Sequence, residues 1–297
     1  EPFAAVGKKT LAEYGDEILV ADGIYQNENW PLILKSGVSL RRMYAGTYPE
    51  LHGNGTESVI STISQRADDF LVEGFRISGG GGSDRGDGSR VGGGVSIICS
   101  RGEFTDCIFS GNKALLGGGI YHDSSILTFT RCQITTNTVI NGYAGGGTAM
   151  GSGVFGGNGW CRLPGGEIRT DLSLLNDCII SGNEIPSTTD EFPVSGFGAG
   201  MALMGGMHFM ERCRIEKNTG GARSRGGVAF LNVSDLIMSH CRIRDNWTAT
   251  DSAFFIQSRC SITISNCIFS DGEKPVTTSR ENNAESFNAR NCIITKK

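Results

Sequence analysis

Phe104-Thr-Asp-Cys107-Ile-Phe109-Ser-Gly-Asn112 decides the fold, because the chain repeats it at Phe129-Thr-Arg-Cys132-Gln-Ile134-Thr-Thr-Asn137. The same phrase returns as Leu175-Asn-Asp-Cys178-Ile-Ile180, Met210-Glu-Arg-Cys213-Arg-Ile215, Met238-Ser-His-Cys241-Arg-Ile243, Ile264-Ser-Asn-Cys267-Ile-Phe269 and Ala289-Arg-Asn-Cys292-Ile-Ile294. An eighth copy, Val72-Glu-Gly-Phe75-Arg-Ile77, carries Phe where the others carry Cys. A motif recurring every few tens of residues marks a solenoid, whose units bury their apolar sides only by stacking on one another. Cys and the Ile or Phe two residues on flank one outward residue, the period of a strand with a single buried face. Each phrase therefore reads as one short strand.

A second landmark lies upstream. Gly94, Gly119 and Gly200 each precede the phrase's Cys by 13 residues, and Gly227 precedes Cys241 by 14. They close the corners Gly-Gly-Gly-Val95, Gly-Gly-Gly-Ile120, Gly-Ala-Gly-Met201 and Gly-Gly-Val228. A unit of roughly 25 residues then holds two or three strands with tight corners, too short for a crossover helix. The chain must coil on itself, each strand pairing in parallel with its copy in the next coil. The expected fold is all-β, a single-stranded parallel β-helix. Three inward ladders follow. One runs Phe104, Phe129, Leu175, Met210, Met238, Ile264; the second is the cysteines; the third runs Phe109, Ile134, Ile180, Ile215, Ile243, Phe269, Ile294. Outward positions test the register. Asp106, Arg131, Asp177 and Arg212 alternate in sign, and Glu216 and Lys217 fall over Arg244 and Asp245. Exposed pairs contribute only ~0–1 kcal/mol each, so their value is diagnostic.

Seven of the ten cysteines occupy one repeat position. Stacked strands are about 4.8 Å apart, whereas a disulfide holds its Cβ atoms about 3.8 Å apart. The expectation is a buried ladder of free thiols, Cys serving as a small hydrophobe. Cys99, Cys161 and Cys260 lie off the ladder and are open to either state. Asn112, Asn137, Asn183, Asn218 and Asn246 fall at one corner, read as a stacked turn ladder in which Asn takes up left-handed backbone and bonds its own main chain.

Composition sets bounds. A net charge of −4 gives no electrostatic reason to bind nucleic acid, and no run of 18 apolar residues could span a bilayer as a helix. We read one domain over 1–297, with cap and first coils at 1–40 and repeat coils over 58–297. Insertions fall at 79–91, 138–144, 148–173 and 184–197, the third because Gly147 stands 31 residues before Cys178. All but the third leave the Asn corner, so stacking gathers them into a lateral patch. The last phrase ends at Lys297 without a covering segment, which sets the expectation that the polypeptide continues or that copies associate end to end through the uncapped C-terminal coil, as in a filament.

The Gly-Gly-Gly-Ile/Val corners paired with Cys-x-Ile/Phe-x-x-Asn phrases resemble right-handed parallel β-helix proteins of the pectin-lyase-like superfamily, with repeats like those of polymorphic-outer-membrane-type bacterial surface proteins. Tyr14 to Tyr25 and Leu34 to Leu40 are similar to that superfamily's first coils, where a short helix, here Thr10 to Tyr14, caps the core. The resemblance implies right-handedness and a secreted or cell-surface location. It implies no single activity, since lyases, hydrolases, isomerases, tailspikes and adhesins share the scaffold.

Function is less legible. In the lateral patch Asp84, Asp87, Glu184, Asp190 and Glu191 supply hard oxygens of the kind that hold Ca²⁺, though solvated loop charge is the simpler reading. Trp160 on the third insertion and Trp247 beside Asn246 have the flat faces that stack on sugars, or simply pack their loops. Arg214 and Arg242 belong to a basic concentration with Arg212, Arg223, Arg225 and Arg244, suited to an acidic polysaccharide or to ion-pair ladders. Arg85-Gly86-Asp87 is too short a match to weigh. The enzymatic signatures the superfamily would bring are missing: Asp68-Asp69 is the lone Asp-Asp pair and lacks its companions, and His52, His122, His208 and His240 have no metal-ligand spacing, His208 and His240 being placed on repeat strands. The leading expectation is a non-catalytic protein binding a glycan or another surface; the alternative is a polysaccharide lyase or glycoside hydrolase acting on an acidic polysaccharide.

Overall fold

The computed structural model describes residues 12–62, 66–140, 148–157, 159, 161–186, 196–221, 224–231, 235–248, 254–257, 260–270, 276–278 and 286–295. Three parallel sheets run the length of the stack. Sheet I has ten strands, Glu17–Val20 first and Ser286–Arg290 last; sheet II has ten, from Ile24–Tyr25 to Ile293–Ile294; sheet III has nine, from Leu32–Ile33 to Val276–Thr278. One coil shows the path: Arg101–Thr105 in sheet I, Ile108–Ser110 in sheet II, the short strand Lys113–Ala114, then Ile120–Asp123 in sheet III. Arg101 pairs with Ile126, one coil later. No helix occurs among the described residues. Of the expected cap, Thr10 and Leu11 lie outside them, and Ala12 to Tyr14 are non-helical, Tyr14 entering a turn.

The inward ladders stand in the expected register. Phe104 pairs with Phe129, Phe129 with Leu175 and Met210 with Met238, while Phe109, Ile134, Ile180, Ile215, Ile243 and Phe269 are all buried. Phe104 and Phe129 stack with ring centroids 5.4 Å apart. Cys107, Cys132, Cys178, Cys213, Cys241 and Cys267 are buried free thiols; Cys292, in the last coil, is half-buried. Each ladder thiol caps a backbone carbonyl, as in Cys213 Sγ to Leu175 O at 3.3 Å.

Each phrase is not one strand, however. The residue before Cys is a left-handed bend, so the phrase spans the end of a sheet I strand and the start of a sheet II strand. Asp106, Arg131, Asp177, Arg212, His240, Asn266 and Asn291 all have φ between 51° and 56°, and Gly74 has φ 82°. One residue with that backbone turns the corner while its N–H still joins the inter-coil ladder, as Asp106 N does to Thr130 O at 2.9 Å. Arg and His are costly there, about 1–2 kcal/mol each; stacking holds them. His240 is thus a bend residue rather than a strand residue.

The Asn corner works differently from expectation too. The left-handed residues are Gly111, Thr136, Gly182, Lys217 and Asp245, each one position before the Asn. The amides are buried and bond neighbouring coils instead of their own main chain. Asn183 Nδ2 donates to Ile134 O and Asn218 Oδ1, and Asn183 Oδ1 accepts from the N–H and Nδ2 of Asn137. A dry corner leaves each amide no other partner. The upstream glycines follow from this: a Cβ on Gly119 would sit 2.8 Å from Asn137 Nδ2, and one on Gly200 2.8 Å from Asn218 Nδ2.

The same rule corrects the third insertion. Val154 pairs with Ile120, so Gly153 is the landmark of that coil, not Gly147. The strands Val154–Gly156 and Leu172–Asn176 belong to sheets III and I, which confines the insertion to 157–171. Three of the expected outward pairs are formed: Arg131 clasps Asp106 at 2.7 and 3.0 Å, Arg212 clasps Asp177 at 2.7 and 3.0 Å, and Arg244 meets Glu216 at 2.7 Å. Asp245 lies 3.8 Å from Arg244 of its own coil.

Candidate binding surfaces

The outer face of sheet III is sealed. Tyr121, Phe155, Ala202, Ala229, Leu231 and Phe255 point outward from it yet are buried, forming a second small core with Val91. Over them lie the hairpin Ser83–Asp84/Arg90–Val91 and a three-stranded sheet of Ala149–Met150, Gly196–Phe197 and Ser224–Arg225. Tyr121 stacks on Phe155 and Phe197 on Phe255, each at 5.5 Å. The signal was in the sequence: strands such as Met201-Ala-Leu-Met204 and Val228-Ala-Phe-Leu231 are apolar throughout, as strands buried on both faces must be.

The insertion forms a strap. Its strands Cys161–Arg162 and Ile168–Arg169 pair antiparallel, and it is tied to two earlier coils. Cys161 forms a disulfide with Cys99. Gly159 N donates to Asp123 Oδ1 at 2.7 Å, and Arg169, nearly buried, bonds Asp68 Oδ1 at 2.7 Å and Cys99 O at 3.1 Å. Asp68 also meets Arg66, and its neighbour Asp69 meets Arg101. The Asp-Asp pair is therefore fully engaged in ion pairs. Asp123 is held by Arg85 as well, at 3.3 Å.

Beneath the strap's end lies a polar island in the coil interior. Asp171 Oδ1 accepts from Ser125 N at 2.8 Å and faces His122 Nδ1 at 3.4 Å; both side chains are fully buried. His122 Nε2 and Asp171 Oδ2 have no partner among the described residues. Burial pushes the Asp171 carboxyl up, against the pull of His122. Gly156 stands in register with His122, and a Cβ there would come within 2.9 Å of the imidazole. The ring of His208 lies 6.4 Å away. Its Nε2 donates to Gly205 O at 2.8 Å, so its Nδ1 accepts from the Ser173 hydroxyl at 2.7 Å. Burial, and secondarily His122, brings the His208 pKa down to about 3. This Ser-His pair is sealed from solvent, and its hydroxyl cannot reach a substrate. At the surface, Ser78 Oγ donates to Glu50 at 2.6 Å, and His52 Nδ1 faces both, Ser78 Oγ at 2.9 Å and Glu50 Oε1 at 3.4 Å. With serine and acid on one ring nitrogen, no relay through the imidazole exists.

The residues singled out from sequence disperse. Asp84 Oδ1 accepts from Gly86 N and Gly88 N, and Asp87 Oδ1 from the N–H and hydroxyl of Ser89, which holds its carboxyl below the usual range. Trp160, Asp190 and Glu191 lie outside the described residues. Trp247 is 55% exposed at the Asn corner. Arg214 and Arg242 are exposed on sheet II, directly opposite each other in register. Arg225 is instead laid over the Phe255 ring at 5.2 Å.

One surface escaped the sequence reading. On the outer face of sheet I, Ile126, Leu172 and Met207 stand in one column and Leu174, Phe209 and Ile237 in the next. Met207 is 45% and Ile237 48% exposed, the others half-buried. Arg101, Thr128, Asp235 and Thr263 bound the field along the axis.

Residues 167–297 match the family model described as right handed beta helix region. The chain is a right-handed parallel β-helix. Solved structures similar to this β-helix include the A-module of a mannuronan C-5 epimerase from Azotobacter vinelandii (11% identity over 94% of this chain and 87% of that one, TM-score 0.40). A surface adhesin of Streptococcus pneumoniae is similar over 99% of this chain and 85% of its own, at 10% identity and TM-score 0.35. A pectin methylesterase mutant in complex with a hexasaccharide is similar over 94% and 86%, at 12% identity and TM-score 0.34. No curated protein matches the β-helix in sequence. Among the described residues no helix is long and apolar enough to cross a membrane.

Proposed function

We infer that this β-helix is a non-catalytic, secreted or cell-surface protein that holds a glycan against its outer faces. The observation that carries this reading is the apolar field on sheet I, six side chains in two columns with charged and polar groups around it. An apolar patch with a polar rim is the mark of a binding surface. It is far smaller than the 20–30 residues per side of a stable protein interface. It suits a sugar chain, whose C–H faces need flat apolar support and whose hydroxyls meet the rim. The non-catalytic part rests on the acids and bases described above: Asp68 and Asp69 are ion-paired, and Asp171, His122 and His208 are sealed in the core.

The test is a glycan array followed by titration calorimetry with the best ligand. Phe209→Asn on the sheet I face should weaken binding at least tenfold and leave the melting temperature within a few degrees. In parallel, incubation with uronate polymers, with and without Ca²⁺, should show neither ultraviolet-absorbing unsaturated product nor new reducing ends. Turnover in that assay would replace this reading with the polysaccharide lyase or hydrolase alternative.

A further inference from the structure

We propose that Arg214 and Arg242 form an oxyanion clamp on the outer face of sheet II, and that it takes a polymer bearing carboxylates or sulfates. Among the described residues, most of the chain's surface arginines sit against carboxylates. Arg131 and Arg212 each clasp an Asp of the preceding coil with two hydrogen bonds, Arg244 meets Glu216, Arg101 meets Asp69, and Arg66 and Arg169 share Asp68. These six arginines are brought to carboxylates, while Arg76 bonds the Ser110 hydroxyl and Arg225 lies over the Phe255 ring. Arg214 and Arg242 break the pattern. They are direct partners on adjacent parallel strands, both exposed, and neither reaches a carboxylate among the described residues.

Like charges directly opposed across a strand pair destabilise a sheet. The neighbouring column, one residue pair along the same strands, places Glu216 against Arg244 and so shows the arrangement that relieves the repulsion. Two guanidinium forks one strand spacing apart, about 4.8 Å, present paired planar donors of the kind that grip carboxylate and sulfate oxygens. The column continues as Ile179 on one side and Ile268 on the other, both half-buried. An apolar side chain thus stands before and after the basic pair, a strip that supports a chain of rings while the arginines hold its anionic substituents. The clamp deepens the glycan-binding reading and rests on it only for the polymer that carries the anions.

The experiment compares binding of a uronate polymer, a sulfated glucan and the same glucan unsulfated, by calorimetry at low and high salt. The wild-type protein should prefer at least one charged polymer to the neutral glucan by tenfold or more, and added salt should shrink the preference. The two charged polymers distinguish carboxylate from sulfate as the ligand group. Arg214→Gln/Arg242→Gln should lose the preference while keeping whatever neutral glucan binding the wild type has. Arg242→Glu, which creates an opposed Arg–Glu pair, should melt higher than wild type without ligand and lose the charged polymers. Equal binding of charged and neutral polymers, or charged-polymer binding unaltered by either substitution, overturns the clamp and leaves the glycan reading standing. Absence of binding to all three polymers, together with a blank glycan array, overturns both.

Discussion

Replacing Asn183 by alanine cuts the Asn ladder at its centre, and the structure sets the size of the effect. The side chain makes four hydrogen bonds: Nδ2 to Ile134 O and to Asn218 Oδ1, both at 2.9 Å, and Oδ1 from Asn137 N and Asn137 Nδ2, both at 3.0 Å. At a net ~1 kcal/mol each, their loss comes to about 4 kcal/mol. The buried Asn137 N–H would be left without an acceptor, which adds up to about 1–3 kcal/mol unless water enters. Folded domains are stable by only about 5–15 kcal/mol, so Asn183→Ala should unfold at much lower denaturant concentration. The assay is urea denaturation followed by circular dichroism in the β-sheet region, with Ser181→Ala as control. Ser181 lies outward on the same coil, and its truncation should stay within about 0.5 kcal/mol. Coils in a solenoid are coupled only through their neighbours, so Asn183→Ala should also lower the denaturant slope by letting the two halves melt separately. A loss below about 1 kcal/mol with an unchanged slope would refute the claim that the ladder carries structure between coils.

Cys213→Arg puts an unpaired charge into the stacked thiol ladder and should cost more than about 4 kcal/mol, so a near-normal melting curve would mean that Cys213 does not face inward. Cys99→Ala/Cys161→Ala opens a loop with a sequence separation of 62 residues, which the chain-entropy account values at about 4 kcal/mol; an equal melting temperature in the double variant would show that the strap's other ties suffice. Acid should weaken the corner ladder. Hydrogen bonds from Arg131 and Arg212 hold the Asp106 and Asp177 carboxyls below the ordinary carboxylate range, so their contribution is present above about pH 4 and is lost as pH falls through the folded-state values. Asp106→Asn/Asp177→Asn should therefore be less stable than wild type at pH 6 and lose less stability between pH 4 and pH 2; parallel stability curves would contradict this.

The axial repeat was legible because a stack imposes the same environment on every coil, so inward residues recur at a fixed place in each phrase. Cys107 to Cys292, Phe109 to Ile294 and Asn112 to Asn246 could be aligned by eye, and the alternating charges at 106, 131, 177 and 212 confirmed the register from the outside. The corner geometry was less legible. A left-handed residue that carries Asp, Arg, His or Asn has no composition of its own, which is why one phrase read as one strand. The insertion's ties were illegible for a related reason. Arg169 meets Asp68 across 101 positions, and Cys161 meets Cys99, because the strap lies back over earlier coils by a path that no periodicity describes.

What the amino-acid order determined alone is the pitch of the solenoid, the identity of its dry ladders and the place of its corners, since these follow from local period and nearest-neighbour stacking. Tertiary structure decided which outward faces are open. The apolar outer side of sheet III is covered by its own loops, while on sheet I Met207 and Ile237 are exposed and Ile126, Leu172, Leu174 and Phe209 half-buried, with no second core over them among the described residues. Whether an outward residue meets solvent depends on where distant loops come to rest. Only the folded chain brings those loops to one sheet and away from the other.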